Sequence, residues 1–218
     1  MNLSITKDIP DRLLELYLTK KEIAVDSEFQ GLRLFRDDVC LIQICDDNKN
    51  ISLVKPDLIN IPPNLKHLLT NPDVTKVFHF AICDVSFIKT SLDIEVSPYC
   101  CTKVMSKLIR TYTNKHGLKD LFLELLGHEI CKEQQQTNWS QKNLTQKQLL
   151  YAANDVVDLL QIYRILNKMI NDRPTLSTGK SISELNIKAQ SMLPGLVDLF
   201  INGYGDKNGG WETSLFSH

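Results

Sequence analysis

The chain has 218 residues, 43% of them hydrophobic, which suits one well-cored domain and leaves too little for two. A formal charge of −1 excludes the broad basic field of a protein that grips long nucleic acid over many phosphates. The cysteines include no C-x-x-C pair, and Cys40 and Cys45 would face opposite ways on a strand, so buried thiols in a reducing compartment are expected rather than a zinc site.

At the amino end, MNLSITKDIPDRLLELYL carries acidic residues early and has no uninterrupted apolar core, unlike a secretory signal. No apolar run reaches the roughly 18 residues of a membrane span. A cytoplasmic protein with no membrane partner is therefore expected. Apolar, β-branched runs predict strands at 23–29, 39–45, 51–54 and 74–80, with a short helix at 64–70 before the fourth. The first three strands lie close enough to pair antiparallel, and the fourth would join by a crossover. Beyond residue 83 the spacing turns helical, in DVSFIKTSL, CTKVMSKLIRTY and GLKDLFLELLG, so a sheet made first and helices made later are predicted. Thr145 and Gln148 form a capping-box pattern. The helix opening there is predicted to run to about residue 169, with Leu149, Ala153, Val156 and Leu160 on one stripe. A last helix is predicted over 182–192, stopped by Pro194, and the tail GYGDKNGGWETSLFSH is expected to dock through Trp211 and Phe216.

Carboxylates inside apolar segments need a reason, because burying an ionised group costs several kcal/mol unless something neutralises it. Asp26 and Glu28 sit two apart on the first predicted strand and share a face, able to present two ligands to one cation; a solvated edge strand would explain them equally well. Asp84 follows the fourth strand where a helix should begin, a position that also suits a simple first-turn acid. Asp155 lies mid-helix in LLYAANDVVDLL, one turn after Tyr151, which sets carboxylate and phenol side by side; solvent exposure is the competing reason for it.

In this joint order the chain resembles the DEDD superfamily of 3′-to-5′ exonucleases, in its tyrosine-bearing, ribonuclease D-like branch. The stretches CTKVMSKLIRTYTNKHGLKDLFLELLG, QQQTNWS and LLYAANDVVDLL resemble the short bacterial nanoRNase C group. The resemblance implies an α/β, ribonuclease H-like exonuclease fold with a mixed central sheet flanked by helices. It covers 1–218 as a single domain, with a core of about 20–170 and a C-terminal helix and tail, 181–218, docked or used in oligomer contacts. Implied with it are two Mg2+ or Mn2+ ions held by Asp26, Glu28, Asp84 and Asp155, a water-orienting Tyr151, short RNA or dinucleotides as substrate, and a ring-like homo-octamer. Asp26 would bridge the ions, Glu28 and Asp155 would complete the water-activating side, and Asp84 would support the second ion. Ser27 stands where the family usually has Thr, with little expected consequence because its side chain should point away from the ions. Phe29 and Gln30 also depart from the family pattern.

Further contacts to substrate are expected from Phe29, Gln30 and Leu32 after the D-x-E strand, from His79 and Phe80, and from Gln136 and Trp139 in QQQTNWS. Phe29, Leu32 and His79 have a plain core role as the alternative. Lys103, Lys107 and Arg110 fall on one predicted helix face, with Lys115, His116 and Lys119 behind, a basic patch for phosphate, for a neighbouring subunit or only for solvent. Alternatives to a dinucleotide exoribonuclease are a trimmer of longer RNA, a DNA exonuclease, or a non-catalytic nucleic-acid-binding module. A dinucleotide-cofactor domain is disfavoured, since no G-x-G-x-x-G follows the first strand.

Overall fold

The computed structural model describes residues 3–130, 133–173 and 175–203. Its centre is a six-stranded mixed sheet in the order β1-β4-β3-β2-β5-β6. Strands β2 (Glu22–Phe29), β3 (Val39–Cys45) and β4 (Ile51–Val54) form the expected antiparallel run, and β5 (Thr75–Phe78) returns parallel to β2. The crossover between β4 and β5 carries helix α2 (Pro63–Thr70). Two short edge strands were not foreseen: β1 (Ile5–Thr6) beside β4, and β6 (Tyr99–Cys101) beside β5. At two and three residues they are too short to show an alternation in sequence.

Every residue of β3 is buried, as a strand covered on both faces must be. One face, with Ile23 and Val25 of β2, packs in a single cluster with residues of α1 (Asp11–Leu18), α2, α3 (Ala81–Leu92) and α9 (Leu193–Ile201). Ala24 of β2 belongs to the opposite face, whose cluster includes residues of α4 (Thr102–Ile109), α5 (Leu118–Leu121) and α7 (Leu159–Asn171). Helix α6 (Gln146–Val157) shares a third cluster with Leu41 and Leu53 through Leu149, Tyr151 and Ala152. Period-two alternation thus splits β2 between two helical layers, a division that decides where its polar residues point.

Several predicted boundaries shift. Helices do not simply follow the sheet: α1 precedes β2, and β6 falls between α3 and α4, ending on Cys101, the first residue of the helical stretch CTKVMSKLIRTY. The helix predicted from Thr145 to about 169 is two. It breaks at Asp158, where φ −117 and ψ 7 leave helical geometry and the carboxylate pairs with Lys49 at 3.1 Å. The break turns the chain from α6, which gives Leu149, Tyr151 and Ala152 to the third cluster and Val156 to the second, to α7, whose buried residues all lie in the second. Thr145 does cap α6, accepting from Gln148 N–H. GLKDLFLELLG becomes the short α5 followed by a π-turn, Phe122–Leu126, closed by Gly127 at φ 75, which a side chain would strain. Pro194 opens a helix rather than ending one. Helix α8 (Ile182–Ser191) stops before it, and α9 takes the proline in its first turn, where the missing N–H costs nothing. The tail with Trp211 and Phe216 lies outside the described residues. Among the described residues no helix is long and apolar enough to cross a membrane.

Candidate active site

At the C-terminal end of β2 the pairing with β3 slips between Glu28 and Phe29, so Cys40 has no partner across the ladder. Such bulges re-aim side chains at a strand's end. Asp26 and Glu28 lie on the same face as Ala24, toward the α6 layer. Asp155 of α6 meets them, and one carboxylate oxygen from each of Asp26, Glu28 and Asp155 lies within 4.8 Å of the other two. Glu28 is 8% and Asp155 3% exposed, which removes solvent exposure as the reason for either carboxylate.

Asp84 lines the same cleft but stands outside that triple. It sits in the first turn of α3, on the other side of the sheet, and is almost fully buried. Ser27, alternating to that side, donates its hydroxyl to Asp84 Oδ1 at 2.6 Å. The Ser27 side chain does point away from the triple, as expected, and what it points at is the fourth carboxylate, a bond that the hydroxyl of Ser or Thr can make. Burial pushes the Asp84 carboxyl up, opposed by this hydrogen bond.

Tyr151 is buried one turn before Asp155 and hydrogen-bonded to it; burial, then the charges of Asp155 and Glu28, push the phenol far above its ordinary range. The Trp139 ring tilts against it, centroids 5.9 Å apart, and is only 2% exposed, so Trp139 backs the phenol as well as lining the cleft. Across the cleft, Phe80 holds a left-handed backbone, φ 77 and ψ 48, uncommon for a bulky residue, and lies 44% exposed beneath Lys103 Nζ, 4.1 Å from its ring centre. His79 accepts from or donates to Thr102 Oγ1 through Nδ1 at 2.9 Å. Phe29 stacks on Phe87 of α3 at 4.1 Å and so anchors the core while touching the cleft. Gln30, Leu32 and Gln136 are exposed on the rim.

The basic patch does not act as one surface. Lys103 and Lys119 line the cleft. Arg110 is fully buried, bound to Glu124, to Ser106 Oγ and to the carbonyl of Lys115, and so braces the turn that leads to Lys119. Sequence periodicity put Arg110 beside Lys103; it could not show that the arginine turns inward to an acid fourteen residues on.

The donor set fits hard divalent cations. Three carboxylates crowded within 4.8 Å and largely withdrawn from water repel one another, and an all-oxygen cluster suits Mg2+ or Mn2+ better than zinc. Gln43, directly opposite Asp26 on β3 and fully buried, has a side-chain amide with no partner among the described residues, a further polar group beside the cluster.

Comparison with known proteins agrees with this geometry. The family model described as 3′-5′ exonuclease matches residues 3–171. The chain belongs to this exonuclease family. Within it, ribonuclease D of Haemophilus influenzae is 33% identical over 155 residues, 71% of this chain and 38% of that protein. Ribonuclease D of Cronobacter turicensis is 27% identical over 189 residues, so the chain spans less than half the length of these curated relatives. Brucella melitensis NrnC superposes with a TM-score of 0.82 at 30% identity, covering 99% of this chain and 100% of that one. Solved structures of that nuclease include one with Mg2+ and one bound to pGG. The mixed sheet and its flanking helices are thus the ribonuclease H-like fold of the ribonuclease D and NrnC exonucleases.

Proposed function

We propose that this chain is a two-metal 3′-5′ exoribonuclease that hydrolyses short RNAs, dinucleotides above all, to 5′-mononucleotides. The observation that carries the reading is the convergence of Asp26, Glu28 and Asp155 beside Tyr151 in one cleft. The cleft measures about 760 Å³, within the roughly 300–1,000 Å³ of small-ligand pockets, a scale suited to a few nucleotides rather than a folded RNA. The pGG bound to the Brucella nuclease supports the same substrate class.

Asp26, Glu28 and Asp155 would hold the ions, with Asp84 contributing from the α3 side. The chemistry a pair of such ions supplies when bound is water activation and relief of charge on the departing 3′ oxygen. In the metal-free chain burial and the anionic Asp155 and Glu28 hold the Tyr151 proton in place, which suits a phenol that orients the attacking water by hydrogen bonding. Lys103 and Lys119 offer positive charge to the phosphates on the opposite wall, and Phe80 and Leu32 offer apolar surface to the bases without reading sequence. A ring-like homo-octamer in the cytoplasm belongs to the same reading and rests on the family resemblance.

Turnover of a two-nucleotide RNA and a twenty-nucleotide RNA, at equal magnesium, tests the proposal. Faster release of mononucleotide from the shorter RNA is expected. A marked preference for the longer one would favour trimming of structured RNA, the role named for Escherichia coli RNase D, which is 25% identical. No mononucleotide from either, with Asp26→Ala changing nothing, would leave a binding module.

A further inference from the structure

Between β2 and β3 the loop of residues 30–38 leaves the cleft and returns, closed at its base by Gln30 N–H donating to the Asp38 carbonyl at 3.0 Å. A carboxylate fills its interior. Asp37 is 7% exposed, accepts from Arg33 N–H at 2.9 Å, and takes two bonds from the Arg36 guanidinium, at 2.7 Å from Nε and 2.6 Å from Nη2. Its Oδ2 presses on Gly31 so closely that a Cβ there would stand 2.3 Å away, inside any real contact. A side chain at residue 31 would therefore displace the Asp37 carboxylate from its bonds to Arg33 and Arg36.

On the outer side of this loop the exposure is reversed. Leu32 is 77% exposed and lines the cleft, and Phe35 is 76% exposed at φ 65. An exposed leucine on an unbraced loop would lose backbone as well as rotamer freedom on meeting a ligand, and bracing the backbone beforehand removes the first of these costs. Here the backbone on both sides of Leu32 is pinned: Gly31 against the carboxylate, Arg33 by its N–H into it. The loop spends a buried charge, with its Arg36 partner, on holding one apolar side chain at the cleft mouth.

We propose that Asp37 is a positioning residue, which, seated against Gly31 and tied to Arg33 and Arg36, fixes the backbone that presents Leu32 as an apolar contact for a nucleobase of the bound RNA. The inference rests on the reading of the cleft as an RNA site. Because Leu32 touches the base and not the reacting phosphate, the effect falls on binding common to substrate and transition state, hence on KM rather than kcat.

Steady-state kinetics on a two-nucleotide RNA, with Asp37→Asn, Gly31→Ala, Leu32→Ala and the Leu32→Ala/Asp37→Asn double variant, tests it. Asp37→Asn and Leu32→Ala should each raise KM by about five- to tenfold with kcat within about twofold, and the double variant should be no worse than the worse single, as expected of residues that act as one unit. Gly31→Ala reaches the same contact from the other side and should reproduce the KM effect even where Asp37→Asn folds poorly. Effects that multiply in the double variant, or a fall in kcat at unchanged KM, would overturn the role of Asp37. Inactivity of the wild-type chain on this RNA would instead overturn the reading of the cleft itself.

Discussion

Ser27→Ala is the substitution whose consequence the structure defines most sharply. It deletes a 2.6 Å hydrogen bond to Asp84, a carboxylate that is 4% exposed and takes this bond from the strand beneath α3. A hydrogen bond to a charged group contributes about 1.5–3 kcal/mol, and leaving the acceptor buried and unsatisfied costs a comparable amount. At 1.4 kcal/mol per decade that is roughly 10- to 100-fold, the range found when a residue supporting a metal-binding carboxylate is removed. The assay is a magnesium titration of mononucleotide release from a two-nucleotide RNA, together with direct Mn2+ binding by calorimetry. Half-saturation by metal should rise by about 10- to 100-fold in Ser27→Ala, and Ser27→Thr, which keeps the hydroxyl and suits a strand, should stay near wild type. An Ser27→Ala protein with wild-type metal dependence would refute the claim that this hydroxyl orients Asp84.

Asp155→Asn should abolish turnover and yet raise the melting temperature of metal-free protein, since it relieves repulsion within the triple; added magnesium should stabilise wild type and not the variant, a pattern read directly by thermal melts. Tyr151→Phe should lower kcat by about 100-fold with little change in metal affinity, and the wild-type pH–rate profile should show no limb near neutrality from this phenol, whose proton is held by burial and by Asp155. Lys76 is fully buried with its ammonium on the carbonyls of Asn71, Val74 and Ser97, and burial pushes it down to about 8 from 10.5. Between those values the unfolded chain binds more protons than the folded one, so this group makes stability rise with pH across that window; in urea melts from pH 8 to 10 the stability of wild type relative to Lys76→Met should grow with pH, the buried thiols acting alike in both.

Much of the site was legible because its parts obey local periodicities. The two-residue spacing of Asp26 and Glu28 and the four-residue spacing of Tyr151 and Asp155 each fix a shared face whatever the rest of the chain does. The four main strands, the antiparallel order of the first three and the capped start of α6 were readable for the same reason. Boundaries were missed where packing overrides local pattern: the break at Asp158 serves two different clusters, and Pro194 opens a helix that joins α3 in the first cluster.

Left to itself, the amino-acid order determined which residues could share a face: the D-x-E pair, the tyrosine–aspartate turn, and the apolar runs that become the sheet. Only the tertiary structure decided what each face meets. It brought Asp155 within 4.8 Å of Asp26 and Glu28, placed Asp84 on the far layer under the hydroxyl of Ser27, turned Arg110 inward to Glu124, and tucked Asp37 behind Leu32. The physical reason is that local spacing constrains direction along one element, whereas distance between elements is set by how two helical layers pack on opposite sides of a single strand.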